Sequence, residues 1–250
     1  MACGLLRSLS MIGVFDSGIG GLTVLQALRK RLSRRDFLYL ADTARLPYGS
    51  RRPAEILDIA RENAVRLCDY GAEALVVACN TASAIALPQL RLELPVPVWG
   101  MVDAGVETAT RATRSGYLGV IATQAAIQSG VFQRKLETRG FRVWAQACPA
   151  LVLAAEEPSA DTEVLVRHYL REMPRVDTLL LGCTHFPLLR PAIEKVAGPR
   201  VKVVDGAELL AAKVASETED EGSGSVRYFD TAADWSRKPE RVFSGVINAS

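Results

Sequence analysis

Ala74-Leu75-Val76-Val77-Ala78-Cys79-Asn80-Thr81 is answered, roughly a hundred residues on, by Thr178-Leu179-Leu180-Leu181-Gly182-Cys183-Thr184-His185. Each copy is an apolar run closed by a small residue, a cysteine, and then hydroxyl, amide or imidazole side chains. The echo extends upstream, where Ile12-Gly13-Val14-Phe15-Asp16-Ser17 matches Leu118-Gly119-Val120-Ile121-Ala122-Thr123. It extends downstream too, where Val96-Pro97-Val98-Trp99-Gly100-Met101-Val102-Asp103 matches Val201-Lys202-Val203-Val204-Asp205. A unit of this length is a small domain rather than a solenoid element. Two such domains facing each other bring two thiols to one cleft from opposite sides. Chemistry on both faces of a single carbon needs that arrangement.

Around this frame, short apolar runs alternate with segments of helical period. Residues 12–15, 37–40, 75–78, 96–102, 117–122, 141–145, 179–181 and 201–204 read as strands. Leu22, Leu25, Leu28 and Leu32 fall at helical spacing, and Pro53 opens a helix with Ile56, Ala60, Ala64 and Leu67 on one face. A single helix is expected over 125–139. Such alternation predicts an α/β fold of two pseudo-symmetric domains, each a mostly parallel sheet flanked by helices, with the active site in the interdomain cleft. The acidic, Gly/Ser-rich stretch 217–225 reads as a flexible loop, followed by a strand at 226–229 and a short helix at 234–243. The tail is expected to return to the first domain. The domains are then 1–102 plus 207–250, carrying Asp16 and Cys79, and 103–206, carrying Cys183 and His185.

Bulk properties narrow the function classes. With 49% hydrophobic residues in 250, a substantial core is available. Thirty basic against 28 acidic residues leave a formal charge of +2, which argues against a nucleic-acid partner. No apolar run approaches the ~20 residues that span a bilayer, and residues 1–10 do not read as a secretory signal. Five cysteines, an odd and sparse set, suit free thiols in a reducing cytoplasm.

Ligands of open parallel sheets bind beyond the carboxyl ends of the strands. Asp16-Ser17, Cys79-Asn80-Thr81, Thr123 and Cys183-Thr184-His185 all occupy such ends. Each of the two cysteines is expected at the start of a helix, whose amides lower a thiol pKa from about 8.5. Cys3, Cys68 and Cys148 lack that setting. Asp16-Ser17-Gly18-Ile19-Gly20-Gly21 suggests a dinucleotide turn with Asp42 as a ribose acid, but the third fingerprint position is Thr23, and a carboxylate precedes the turn. The turn suits a small carboxylate better. His168 lies in a helical stretch. Cys79, Cys183 and His185 lack the close paired spacing of a zinc site, so no metal is expected.

Taken together, Ile12-Gly13-Val14-Phe15-Asp16-Ser17-Gly18-Ile19-Gly20-Gly21-Leu22-Thr23-Val24, Ala41-Asp42-Thr43-Ala44-Arg45, Pro47-Tyr48-Gly49, Ala78-Cys79-Asn80-Thr81-Ala82, Gly182-Cys183-Thr184-His185 and Val204-Asp205-Gly206-Ala207 resemble the glutamate racemases of the aspartate/glutamate racemase superfamily. The resemblance implies cofactor-independent interconversion of L- and D-glutamate, supplying D-glutamate for peptidoglycan in the cytoplasm. It implies Cys79 and Cys183 as the two acid/bases, Asp16 assisting Cys79, and His185 and Glu156 assisting Cys183. It implies Asp16, Ser17, Pro47, Tyr48, Gly49, Asn80, Thr81, Thr123, Thr184 and His185 as substrate-binding residues. Two departures stand out: Leu153-Ala154-Ala155 ahead of Glu156 in place of a proline-containing approach, and Ala126 where a threonine is usual. Oligomeric state is left open, with a homodimer among the options. Rival readings are a racemase of another amino acid such as aspartate, a nucleotide-binding oxidoreductase, and a non-catalytic amino-acid-binding clamshell.

Overall fold

The computed structural model describes residues 11–157 and 161–232. The first half runs β1 (Met11–Asp16), α1 (Leu22–Arg31), β2 (Asp36–Ala41), α2 (Pro53–Asp69), β3 (Ala74–Val77), α3 (Asn80–Ile85), α4 (Leu87–Glu93), β4 (Val98–Gly100) and α5 (Met101–Ala112). The second half runs β5 (Tyr117–Ala122), α6 (Gln124–Gln128), α7 (Val131–Glu137), β6 (Arg142–Ala147), α8 (Ala150–Glu156), α9 (Thr162–Leu170), β7 (Thr178–Gly182), α10 (Arg190–Ala197) and β8 (Lys202–Val204). Then come α11 (Ala207–Glu217) and β9 (Val226–Asp230).

The sequence echo becomes a topological one. One sheet is ordered β4-β3-β1-β2-β9 and the other β6-β5-β7-β8. Read from the other edge, the second is β8-β7-β5-β6, the same order as the first without its added edge strand. Even the registers correspond: Gly13 pairs with Leu75 as Gly119 pairs with Leu179. All pairings are parallel. The inner strands therefore read as nearly unbroken apolar runs, because helices cover both of their faces.

Successive side chains along each strand feed opposite layers. Ile12, Val14, Ala74 and Val76 pack with Leu25 and Leu28 of α1 and Leu210 and Val214 of α11. Phe15, Leu75 and Val77 pack with Ile56, Ala60 and Leu67 of α2 and Leu90 of α4. In the second sheet Ile121, Leu179 and Leu181 face Leu151 of α8, Val166 of α9 and Ile193 of α10. Val120 and Leu180 face Val106 of α5 and Phe132 and Leu136 of α7.

Four expectations change. The strand at 96–102 shrinks to β4, because Ser83 Oγ accepts the Met101 N–H at 3.0 Å and α5 starts there. The helix at 125–139 is two helices, since Gly130 adopts φ +67° between them. The helical stretch around His168 extends further than its periodicity marks: it belongs to α9, and α8 precedes it. Finally, the stretch 217–225 is tied down rather than loose. Glu217 accepts from the Trp99 indole at 2.7 Å, and Asp220 accepts the Arg34 and Arg35 amides at 2.9 and 3.0 Å. Asp36 accepts the amides and hydroxyls of Ser223 and Ser225, which hold its pKa down at about 2. Gly222 and Gly224, at φ +139° and +73°, permit that wrap. From there β9 pairs with β2 in parallel. The helix expected at 234–243 lies outside the described residues.

Candidate active site

The carboxyl ends of both sheets meet at one small cavity. From the first half Ser17, Pro47, Tyr48, Gly49, Cys79, Asn80 and Thr81 line it; from the second Thr123, Val152, Cys183, Thr184 and His185 do. Both thiols are thus walls of the same space. Its volume is about 10 Å³, room for about one water. Of the residues expected to touch substrate, only Asp16 is absent from the lining. It stands behind the wall, as does Glu156, expected in an assisting role. Val152 lines the cavity without having been anticipated; a valine inside an amphipathic helix carries no signal that separates it from ordinary core.

Asp16 closes the glycine-rich turn upon itself. Its Oδ2 accepts the Gly18 and Gly21 amides, each at 3.1 Å, and its Oδ1 accepts the Thr184 hydroxyl at 3.0 Å. That last bond joins the two halves. Full burial raises the Asp16 pKa, while the His185 charge and these donors pull it back. The turn is tight enough to demand glycine: a Cβ at Gly20 would lie 2.8 Å from His185 Nδ1, and one at Gly21 2.5 Å from Asp16 Cβ. Tyr39, buried on β2, donates to the Gly18 carbonyl at 2.9 Å and braces the turn from below.

Cys79 caps the N-terminus of α3, with its sulfur 3.7 Å from Ser17 Oγ. The expected depression of its pKa is not found. Burial and the charge of Asp16 push the thiol up to about 12, outweighing the Ala82 amide and the Ser17 hydroxyl. A single turn of amides is a weak dipole against complete desolvation. Cys183 also departs from expectation: β7 leads not into an α-helix but into a 3-10 turn, Phe186–Leu189. Its polar partner is a side chain, His185, whose Nδ1 lies 3.9 Å from the sulfur. The other ring nitrogen of His185 is 2.9 Å from Glu156 Oε1. Burial opposes charge on this imidazole, but the contacts with Cys183 and Glu156 prevail and raise its pKa to about 10. The structure therefore places Glu156 directly behind His185, despite the unusual approach to it.

The two halves meet again where Thr81 and Thr123 share a hydrogen bond of 2.7 Å. Thr123 also caps α6, accepting the Ala126 amide at 3.4 Å, so Ala126 is buried beside it with no hydroxyl of its own. Asn80 is the notable orphan: its Nδ2 is buried on the cavity side of α3 and has no partner. An unpaired buried amide is costly unless something else fills its need. Tyr48, whose hydroxyl donates to Asp42 Oδ2 and accepts from Asn63 at 2.9 Å, fixes the loop that bears Pro47 and Gly49. Asp42 is therefore a structural hub and not a ribose acid. The clue was its place in Ala41-Asp42-Thr43-Ala44-Arg45, but its partner Asn63 lies on α2, which local sequence cannot show.

A two-lobed parallel α/β fold with a thiol from each lobe on one cavity defines the class: the Asp/Glu/hydantoin racemases, whose family model matches residues 12–214. Among relatives, a glutamate racemase from Aquifex pyrophilus is 48% identical over 224 residues, 88% of either chain. The crystal structure of a glutamate racemase isoform from Bacillus anthracis superposes with a TM-score of 0.86 at 33% identity, covering 91% of this chain and 90% of that one. A Francisella tularensis glutamate racemase solved in complex with D-glutamate superposes with a TM-score of 0.82 at 30% identity, covering 90% and 89%. The chain belongs to this family, among its glutamate racemases.

Proposed function

We propose that this protein interconverts L- and D-glutamate by a two-base transfer between Cys183 and Cys79, without a cofactor, and that it supplies D-glutamate for peptidoglycan in the cytoplasm. The observation that carries the mechanism is that one cavity has a thiol from each half as a wall. Their settings are unequal in a useful way. Cys79 is held as the protonated thiol, with its pKa near 12, and the imidazolium of His185 stands beside Cys183. Cys183 then takes the Cα proton of L-glutamate while Cys79 delivers its own proton to the opposite face. The reverse reaction exchanges the roles. Asp16 reshapes the Cys79 proton affinity, and Glu156 holds the His185 ring.

The α-hydrogen of an amino acid is far less acidic than a thiol, and each pK unit of mismatch costs about 1.36 kcal/mol. Fixed donors aimed at the developing charge offset part of that. The unpaired Asn80 amide and the α3 amides are such donors, and Ser17, Thr81 and Thr123 bring hydroxyls to the same wall. A cavity of about 10 Å³ is too small for glutamate. Among the described residues, 11–102 plus 207–232 are therefore assigned to one moving body and 103–157 plus 161–206 to the other, parting to admit substrate and closing to exclude water.

Incubation with L-glutamate in deuterated water, with no added cofactor, tests this. Optical activity should vanish while deuterium appears first at Cα of D-glutamate, the L pool staying protiated. Cys79→Ala and Cys183→Ala should each lower racemisation in both directions by on the order of a thousandfold. Full activity in either variant would rule out the two-thiol route.

A further inference from the structure

The C-terminal strand ends on residues that touch the loop bearing Pro47, Tyr48 and Gly49. Thr231, just past β9, donates its amide to the Ala41 carbonyl at 3.0 Å, continuing the sheet ladder by one residue. Its hydroxyl does two things at once: it donates to Asp42 Oδ1 at 2.6 Å and accepts the Ala44 amide at 3.1 Å. Beside it, Asp230 accepts from the Thr43 hydroxyl, and its Oδ1 also takes the Ala232 amide at 3.0 Å. The start of the loop is thus clipped on both sides by two consecutive residues from the far end of the chain.

Asp42 passes the constraint onward. While Oδ1 is held by Thr231, Oδ2 takes Arg45 Nε at 2.8 Å, Asn63 Nδ2 at 3.1 Å and the Tyr48 hydroxyl. The carboxylate cannot rotate without losing one set of partners. At the other end of this chain of contacts, the Gly49 backbone abuts Thr123 so closely that a Cβ there would come within 2.6 Å of Thr123 Cβ. A loop packed that tightly against the opposite half has little freedom to be slightly misplaced. Small errors in a site of this kind are expensive, because substrate contacts depend on sub-ångström placement.

We infer that Thr231 is a positioning residue for substrate binding: through Asp42 and Tyr48, the C-terminal strand sets the loop that forms one wall of the cavity. This deepens the proposed function and rests on glutamate being the ligand that the loop contacts. The hydrogen bonds of Thr231 go to Ala41, Asp42 and Ala44, none of which lines the cavity, and its side chain is matched in shape by valine. A serine in its place keeps both hydrogen bonds.

The test compares the full-length wild type with Thr231→Val and Thr231→Ser. In Thr231→Val, KM for glutamate should rise roughly five- to tenfold, the scale of losing the part-buried bond to Asp42 together with the exposed one from the Ala44 amide, with kcat changed far less. Thr231→Ser should restore the wild-type KM. Amide hydrogen exchange across residues 43–50 should quicken in Thr231→Val and return to normal in Thr231→Ser. Wild-type exchange and KM in a folded Thr231→Val protein would overturn the inference, and so would a fall in kcat alone that tracks lost stability. If the wild type fails to racemise glutamate, the functional reading fails, and the exchange measurement still decides whether the strand holds the loop.

Discussion

At the scale of single residues, His185 is where burial and partnership conflict most openly. Its folded pKa of about 10 lies above the ordinary 6.5. Between those values the folded protein holds a proton that the unfolded chain has released. The associated stability is therefore complete below about pH 6.5 and declines as pH rises through about 10. His185→Gln removes this contribution, so the stability gap between wild type and variant should narrow steadily over that window in urea titrations. A gap independent of pH would show that His185 is neutral in the folded state. Cys79 illustrates how far a motif carries at this scale. The repeat placed it correctly at a strand end and helix start, yet it suggested a lowered pKa. Proton affinity depends on how much water the surroundings exclude and on Asp16 nearby, which only the assembled site reveals.

At the scale of elements, strand runs were the most legible feature because burial on both faces writes them as short unbroken apolar stretches. Helix limits were less so. Nothing in the period of 125–139 marks the break, which a left-handed Gly130 makes. The wrap at 217–225 reads as a flexible loop by composition, whereas Asp220 is spent on the backbone of residues 34 and 35 and Ser223 and Ser225 on Asp36. The loop 42–50 has its own consequence. Because a Cβ on Gly49 would collide with Thr123 across the cleft, Gly49→Ala should prevent full closure. Catalytic efficiency should drop by tenfold or more, since misplacement of this size costs about a hundredfold in other sites. The thermal midpoint should move little, because the lobes can relieve the clash by separating. Unchanged kcat/KM would show that the close approach is not needed for catalysis.

At the scale of the whole molecule, the two halves are joined across the site by few but well-placed bonds, Thr184 to Asp16 and Thr81 to Thr123. All four of those side chains are buried, so opening exposes polar groups that water satisfies readily. The proposed entry of glutamate into so small a cavity requires such opening. Glutamate should therefore slow hydrogen exchange at residues 46–49 and around Thr123 and Thr184 together, as both walls close on one ligand. Protection confined to one half would mean that substrate binds a single lobe and that closure is not coupled to it.

The amino-acid sequence alone determined the duplicated α/β frame, the pairing of Cys79 with Cys183 and the strand-end residues around them. Those features are written in local periodicity and in direct repetition, which survive without knowledge of distant contacts. Only the tertiary structure decided that Cys79 is held as a thiol, that Asp16 and Glu156 stand behind the cavity wall, and that Thr231 reaches Asp42. Each of these depends on desolvation or on hydrogen bonds between residues far apart in the chain, and neither leaves a mark on a short stretch of sequence.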